Sequence, residues 1–193
     1  MQRTLPLLLI LGLLVVLRML GAAFPETLPN FQPLAVLFFC GALLVETWRG
    51  FVIPLIAWVI SYPLPLLFLS SSPVADPALY VPTLVAFAVT FGIGKALASR
   101  SIPALLLGSL AAAIAFHLIT NGAAWLLDPR YAKTLGGLIQ SLWTGTPGAP
   151  LPTWAFLRNF ASANLVFTGI ILSARIRLPQ FTGTKAMASA STP

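Results

Sequence analysis

Long apolar runs separated by short polar stretches make up most of the chain. Six such runs occupy residues 5–24, 33–47, 51–70, 79–98, 102–127 and 152–174. A helix that crosses a bilayer needs about 20 predominantly apolar residues, whereas barrel strands alternate apolar and polar positions over about ten residues. These runs are continuous and leucine-rich. The pattern therefore predicts an all-α integral membrane protein, built as a bundle of six transmembrane helices.

Two of the runs carry signs of irregular structure. The second is short for a span, and it meets the third at a corner that contains Gly50. The third run contains Pro54, Pro63 and Pro65, and proline interrupts the hydrogen bonds of a helix. We therefore expect a kink or partial break in the third span, where neighbouring helices can satisfy the freed carbonyl groups.

The longest connection, residues 128–151, contains a further periodic segment. Tyr131, Leu135, Leu138 and Leu142 recur at helical spacing, which predicts an amphipathic helix over 131–142 on the outer membrane interface. After the last span, residues 176–193 are rich in small and polar residues and are predicted to form a disordered cytoplasmic tail. The membrane domain is therefore expected to cover residues 1–175.

The composition agrees with residence in a membrane. The chain is 58% hydrophobic and 8% charged, whereas a soluble domain carries about 25% charged residues. Its net charge of +7 comes from basic residues scattered singly, which is typical of topology determinants and not of a nucleic-acid partner. The single cysteine, Cys40, excludes an internal disulfide and a cysteine-based metal site.

The distribution of basic residues predicts the orientation. With the N-terminus in the cytoplasm, the outer flanks hold only Arg130 and Lys133, and the inner flanks hold the larger set of Arg3, Arg49, Lys95, Arg100, Arg175, Arg177 and Lys185. The positive-inside rule favours this arrangement, which places both termini in the cytoplasm. The opening stretch also imitates a signal peptide that ends at Gly21-Ala22-Ala23, but Arg18 interrupts the approach to that site, so we favour an uncleaved span.

Two arginines, Arg18 and Arg158, fall inside the predicted spans with no acidic residue near them in sequence. An unpaired guanidinium at membrane depth costs on the order of 3 to 10 kcal/mol. Each arginine therefore needs carbonyl groups, water or an anion as a partner. An anion that binds and leaves would make these residues functional.

Other polar residues of the last two spans come to a similar depth in this topology. They are His117, Asn121 and Trp125, spaced to share one face of the fifth span, and Arg158, Asn159 and, deeper, Asn164 in the sixth. Together with Arg18 they predict one outward-facing ligand cavity. The alternative is that these groups bond to one another and to backbone carbonyls, and so hold helices together at about 0.6 kcal/mol per bond.

The sequence contains no pattern that is typical of an enzyme. It lacks a Walker motif, an HExxH or DxD motif and a nucleophile elbow, and no Asp or Glu lies near mid-membrane. We therefore predict no catalytic residues, no metal site and no cofactor.

Several stretches resemble one family of bacterial membrane proteins. The stretches are NFQPLAVLFFCG (30–41), FVIPLIAWVIS (51–61), LITNGAAWL (118–126), YAKTLGGL (131–138) and FLRNFASANLVFTGIIL (156–172). That uncharacterised family is in turn similar to the substrate-capture (S) component of energy-coupling-factor vitamin transporters. The resemblance implies an S-component-like fold of six helices in a bacterial inner membrane, with both termini cytoplasmic and a small-molecule pocket near the outer surface.

The resemblance also implies particular site residues. The positions that match its recurrent residues are Asn30, Phe31, Pro33, Asn121, Trp125, Tyr131, Lys133, Thr134, Arg158 and Asn159. The chain departs from the family pattern at Tyr62 and Asn164, where acidic residues occur, and at Ala132, where proline follows the tyrosine. Its first helix also lacks the Ala-xxx-Ala surface with which S components dock their energising module.

The function predicted from these observations is a membrane-embedded substrate-binding subunit. It would capture a small anionic or vitamin-like nutrient for uptake with a partner module, because the chain has no nucleotide site of its own. The predicted ligand-binding residues are Arg18, Asn30, Phe31, His117, Asn121, Trp125, Tyr131, Lys133, Arg158, Asn159 and Asn164. The alternative is a non-transport accessory or assembly subunit of a larger membrane complex, in which the arginines meet a partner helix or a lipid phosphate.

Overall fold

The structure is a computed structural model, and it describes residues 5–24, 27–45, 47–63 and 77–177. The predicted tail lies outside the described residues from position 178 onward, and so does the 64–70 part of the third apolar run. Every regular element among the described residues is helical, which confirms the predicted all-α class.

Seven α-helices follow one another along the described part of the chain. In order, they are α1 (Leu5–Ala23), α2 (Leu34–Leu44), α3 (Arg49–Ser61), α4 (Tyr80–Leu97), α5 (Ile102–Leu127), α6 (Leu135–Trp143) and α7 (Thr153–Arg177). A single 3₁₀ turn, Pro77–Leu79, leads into α4.

Three of the helical stretches are long and apolar enough to cross a membrane. They are Pro77–Leu97, Ile102–Leu127 and Thr153–Ala174, and their bounds lie within two residues of the predicted fourth, fifth and sixth spans. The helices in the second and third runs are shorter, at 11 and 13 residues. In the third run the helix ends at Ser61, because Pro63 has no N–H with which to continue the helical hydrogen bonds.

Helix α2 forms the centre of the bundle and is buried on almost every side. Eight of its residues are buried: Leu34, Ala35, Val36, Phe38, Phe39, Cys40, Ala42 and Leu43. It packs against α3, α4, α5 and α7, and the ring of Phe38 stacks on that of Phe87 in α4 at 4.2 Å. A helix that is apolar all round belongs in the interior of a protein, and the sequence LAVLFFCGALL meets this condition.

The backbones of α2 and α3 touch where Gly41 faces Gly50. A β-carbon added to Gly41 would lie 3.1 Å from the carbonyl carbon of Gly50 and well under 3.0 Å from its oxygen. Pro54, inside α3, cannot donate the hydrogen bond that the Gly50 carbonyl would otherwise accept. The Gly50 oxygen instead faces the Cα–H of Gly41, a weak hydrogen bond that recurs between closely packed helices.

The short helix α6 lies against α5 and α7. It begins at Leu135, four residues later than predicted, because Thr134 is extended and caps the helix by accepting a hydrogen bond from the Gly137 N–H at 3.2 Å. Leu135, Ile139 and Trp143 are exposed along one face. Such an apolar face turned away from the protein is typical of a helix in a membrane interface.

Candidate functional site

His117 and Asn121 lie one helical turn apart on α5 and are joined to each other. The Asn121 side-chain nitrogen is 3.1 Å from His117 Nδ1 and also donates to the His117 carbonyl at 2.9 Å. On the other side of the ring, Nε2 is 2.9 Å from the carbonyl oxygen of Leu142 in α6. A carbonyl can only accept, so Nε2 carries the proton and Nδ1 accepts from Asn121. This neutral imidazole ties α6 to α5.

Arg158 and Asn159 form a second pair at the start of α7. The Arg158 Nε–H donates to the Asn159 side-chain oxygen at 3.1 Å, and the Asn159 side-chain nitrogen donates to the carbonyl of Thr27 at 3.3 Å. Thr27 belongs to the connection between α1 and α2. Asn159 therefore connects the start of α7 to this connection and holds the Arg158 side chain at the same time.

The Arg158 guanidinium lies over an aromatic platform. Its central carbon is 5.3 Å from the centroid of the Trp154 ring, which lies 6.5 Å from the ring of Trp143 in α6. The Arg158 side chain is exposed, and its two terminal nitrogens make no hydrogen bond to any residue that the structure describes. Its planar fork is thus held at the stem, and a fork with open donors is the geometry with which arginine grips a carboxylate or phosphate.

Arg18 lies on a different aromatic platform. Its guanidinium is 5.4 Å from the ring centroid of Tyr62, which follows α3 and packs edge-on against Trp58 and Tyr80. Within the described ranges, no hydrogen bond joins Arg18 to Arg158, or either arginine to His117 or Asn121. The hydrogen bonds of the described residues thus join the predicted polar side chains in pairs, His117 with Asn121 and Arg158 with Asn159.

Asn164 is fully buried in the middle of α7. Its side-chain nitrogen donates to the carbonyl of Phe160, one turn earlier in the same helix, at 2.8 Å. Its side-chain oxygen has no partner among the described residues. Asn164 thus lies in the core, away from the exposed Arg158.

The loop after α5 uses Lys133 and Trp125 to close the end of that helix. The Lys133 ammonium donates to the carbonyl of Trp125 and, at 2.8 Å, to that of Asp128, as basic residues do at helix C-termini. The Trp125 indole N–H donates to the carbonyl of Ala132 at 2.8 Å, and Tyr131 is buried beside this loop. These contacts give Trp125 and Lys133 structural partners.

An ion pair that the sequence analysis did not predict lies in the same loop. The Arg130 guanidinium donates to the Asp128 carboxylate, with a closest distance of 2.6 Å. This hydrogen bond from Arg130 holds the pKa of the Asp128 carboxyl below its usual range. Both groups lie outside the helix, so the pair fixes the loop at its surface.

Asn30 and Phe31 lie in the connection between α1 and α2. Asn30 adopts the left-handed conformation, with φ of +60°, which asparagine tolerates better than most residues. Its side-chain oxygen accepts a hydrogen bond from Gln32 at 2.9 Å. The Phe31 ring packs on Phe167 of α7 at 5.9 Å, so both residues fix the course of this connection over the end of the bundle.

Two grooves on the described surface lie away from all of these residues. One, of about 440 Å³, runs along α3 between α2 and α7. The other, of about 850 Å³, lies between α5 and α7. Neither is lined by a predicted ligand-binding residue. In the part of the chain that the structure describes, no three His, Cys, Asp or Glu side chains are grouped closely enough to hold a metal ion.

The partners that sequence reasoning missed are of two kinds. The carbonyl groups of Thr27 and Leu142 belong to the backbone, so the identity of these residues does not indicate that they act as hydrogen-bond partners. Trp154, by contrast, precedes Arg158 by four residues, and this spacing places two side chains side by side on a helix. That spacing was the available signal for the aromatic platform.

Residues 1–183 match the model of DUF6580, a family of unknown function, and the chain belongs to this family. No curated protein matches the chain, and no solved structure does.

Proposed function

We propose that this protein is a membrane-embedded substrate-binding subunit that captures a small anionic or vitamin-like nutrient at its outer face. Arg158 is the principal anion contact in this proposal. The observation that carries it is the geometry of that side chain, which is exposed, stacked on Trp154 and held at Nε by Asn159.

The chemistry of the guanidinium supports this role. Two parallel N–H groups of an arginine can grip a carboxylate or phosphate bidentately, and such charge-assisted bonds are roughly twice as strong as neutral ones. Because Trp154 and Asn159 already restrict the side chain, less conformational entropy is lost when an anion binds. Translocation would then need an energising partner module, since the chain offers no nucleotide-binding motif.

The proposal includes a six-span, S-component-like architecture with both termini in the cytoplasm of a bacterial cell. At 1.5 Å per residue, an 11-residue helix such as α2 covers only about 16 Å, against a hydrocarbon core of about 30 Å. Non-helical backbone at membrane depth is tolerated where protein surrounds it. The burial of α2 on nearly all sides meets this requirement, so a short central helix is compatible with a span.

The topology can be tested by labelling single cysteines in intact cells. An impermeant maleimide should label Ala132→Cys but not Arg100→Cys, since these positions lie on opposite sides in the proposed arrangement. Both positions are exposed and the native Cys40 is buried, so Cys40 contributes no background. Labelling at position 100 with protection at position 132 would show that the protein has the opposite orientation in the membrane.

Ligand capture can be tested by native mass spectrometry of gently solubilised protein. The wild type should retain a small molecule that Arg158→Lys loses, because a lysine point charge cannot reproduce the fork. Arg130→Lys is the matched control, since Arg130 is exposed but engaged with Asp128. If both variants keep the molecule, or if only the melting temperature of Arg158→Lys changes, Arg158 is a structural residue.

A second candidate is a non-transport accessory or assembly subunit of a larger membrane complex. The hydrogen bonds of the polar side chains favour this candidate. Those of His117, Asn121 and Asn159 bind backbone carbonyls or each other, as polar groups that hold membrane helices together do. Affinity purification separates the two candidates. A stoichiometric membrane-protein partner with no small molecule would favour assembly.

A further inference from the structure

The groove along α3 has one charged end. Its described walls are apolar side chains of α2 and α3 with Ile171 of α7, and among these described lining residues Arg49, the first residue of α3, is the one that carries a charge. Its volume of about 440 Å³ falls within the range of about 300–1,000 Å³ that is typical of small-molecule sites. This groove is distinct from the site around Arg158.

The floor of the groove is a straight stripe that begins at the charge. Arg49, Ile53, Ile56 and Ile60 follow one another at intervals of three or four residues, so they share one face of α3. The three isoleucines are 43, 52 and 54% exposed. From Arg49 to Ile60 the helix rises about 16 Å, which is close to half of the roughly 30 Å thickness of a bilayer core. The stripe thus has the length of one lipid leaflet.

A second positive charge lies at the same end of the groove. The Lys95 ammonium, at the end of α4, is 3.2 Å from the carbonyl oxygen of Val45, which lines the groove beside Arg49. Trp48, next to Arg49, is 69% exposed, as is typical of tryptophan at the level of lipid headgroups. The groove therefore offers the Arg49 guanidinium at headgroup level and an apolar channel below it.

We propose that this groove is a binding site for one anionic phospholipid, with its phosphate on Arg49 and one acyl chain along Ile53, Ile56 and Ile60. Basic pockets between membrane helices bind anionic headgroups in this way. The groove shape, with a cation at one end, distinguishes the site from single exposed apolar residues such as Val85 of α4, which bulk lipid would cover without selectivity. The inference is independent of the proposed nutrient site.

The headgroup contact is tested with the purified, delipidated full chain in detergent. Native mass spectrometry follows the bound fraction as phosphatidylglycerol or phosphatidylcholine of identical chains is added. The wild type should retain one phosphatidylglycerol in preference to phosphatidylcholine. Arg49→Gln should weaken phosphatidylglycerol binding about fivefold, which corresponds to about 1 kcal/mol for one basic residue near a membrane surface. Arg100→Gln removes an exposed cation that does not line the groove, and it should change nothing.

The acyl-chain contact is tested by filling the groove. Ile56→Trp and, separately, Ile53→Trp should weaken the binding of phosphatidylglycerol severalfold, while Val85→Trp, on an exposed face of α4 outside the groove, should not. Glycerol 3-phosphate, which has a phosphate but no chains, should fail to displace the lipid. Equal effects of Arg49→Gln and Arg100→Gln, normal binding in both groove-filling variants, or displacement by glycerol 3-phosphate would each overturn the proposal.

Discussion

Replacing Gly41 by alanine should lower the free energy of unfolding by about 2 kcal/mol. The new β-carbon would lie well under 3.0 Å from the Gly50 carbonyl oxygen, a separation that real β-carbons essentially never show. The opposing atoms belong to the backbone, so no side-chain rotation can relieve the clash, and α2 and α3 must move apart. Overpacking of this kind costs about 1–3 kcal/mol or more, against a gain of up to about 1 kcal/mol in helix propensity from replacing glycine.

The predicted loss can be measured by thermal unfolding in detergent, followed by tryptophan fluorescence. For a chain of this size, about 2 kcal/mol corresponds to a decrease of roughly 4–8 °C in melting temperature. Gly92→Ala is the matched control, because a β-carbon at Gly92 in α4 meets nothing within 4 Å. That variant should be neutral or slightly more stable than the wild type.

The reasoning is refuted if Gly41→Ala melts at the same temperature as Gly92→Ala. The reciprocal variant, Gly50→Ala, is an independent check, because its β-carbon would clash with the Gly41 carbonyl oxygen. If one of the two variants is destabilised and the other is not, the helices do not cross at these two glycines.

Three further variants test individual contacts. His117→Leu leaves the Leu142 carbonyl without its hydrogen-bond donor, which costs about 1–3 kcal/mol. Amide hydrogen exchange in α6 should therefore become at least several times faster, while exchange in α4 should be unchanged. Lys133→Met removes the ammonium from the end of α5 and should lower the melting temperature by a few degrees; an unchanged melting temperature with lost ligand capture would instead make Lys133 a ligand contact. The pKa of Asp128 is lowered by the hydrogen bond from Arg130. The stability that this ion pair contributes is therefore present at neutral pH and is lost as the pH falls through the lowered pKa. Asp128→Asn should abolish this part of the acid sensitivity, and equal profiles of stability against pH for the variant and the wild type would contradict the prediction.

The long helices could be predicted closely from the sequence because their signals are local. The run that forms α5 is uninterrupted by charge, and the structure places its helix at the predicted residues. In the third run the prolines predicted a kink or partial break, and α3 ends at Ser61, two residues before Pro63; the 64–70 part of that run lies outside the described residues. The start of α6 was missed because Tyr131 continues the helical period, while the capping side chain of Thr134 sets the true boundary.

The candidate site was predictable only in part, for a physical reason. From residue type and spacing, Arg158 and Asn159 were predicted to lie together near the start of the last helix, and His117 and Asn121 to lie on one face of α5. The partners of these side chains are largely backbone carbonyls of distant segments, such as that of Thr27. Every residue carries the same carbonyl group, so these partners become visible only when the fold is known.

The central position of α2 has a consequence for the order in which the protein assembles. Of the helices that enclose α2, three follow it by many residues: α4, α5 and α7. During synthesis α2 therefore emerges long before most of its neighbours exist, and α7, which follows all the other described helices, completes the enclosure last. Contacts between segments so far apart in sequence form late and slowly. A nascent chain that stops before α7 would leave one side of α2 uncovered, so ribosome-bound intermediates of different lengths should acquire protease resistance only once α7 has been released.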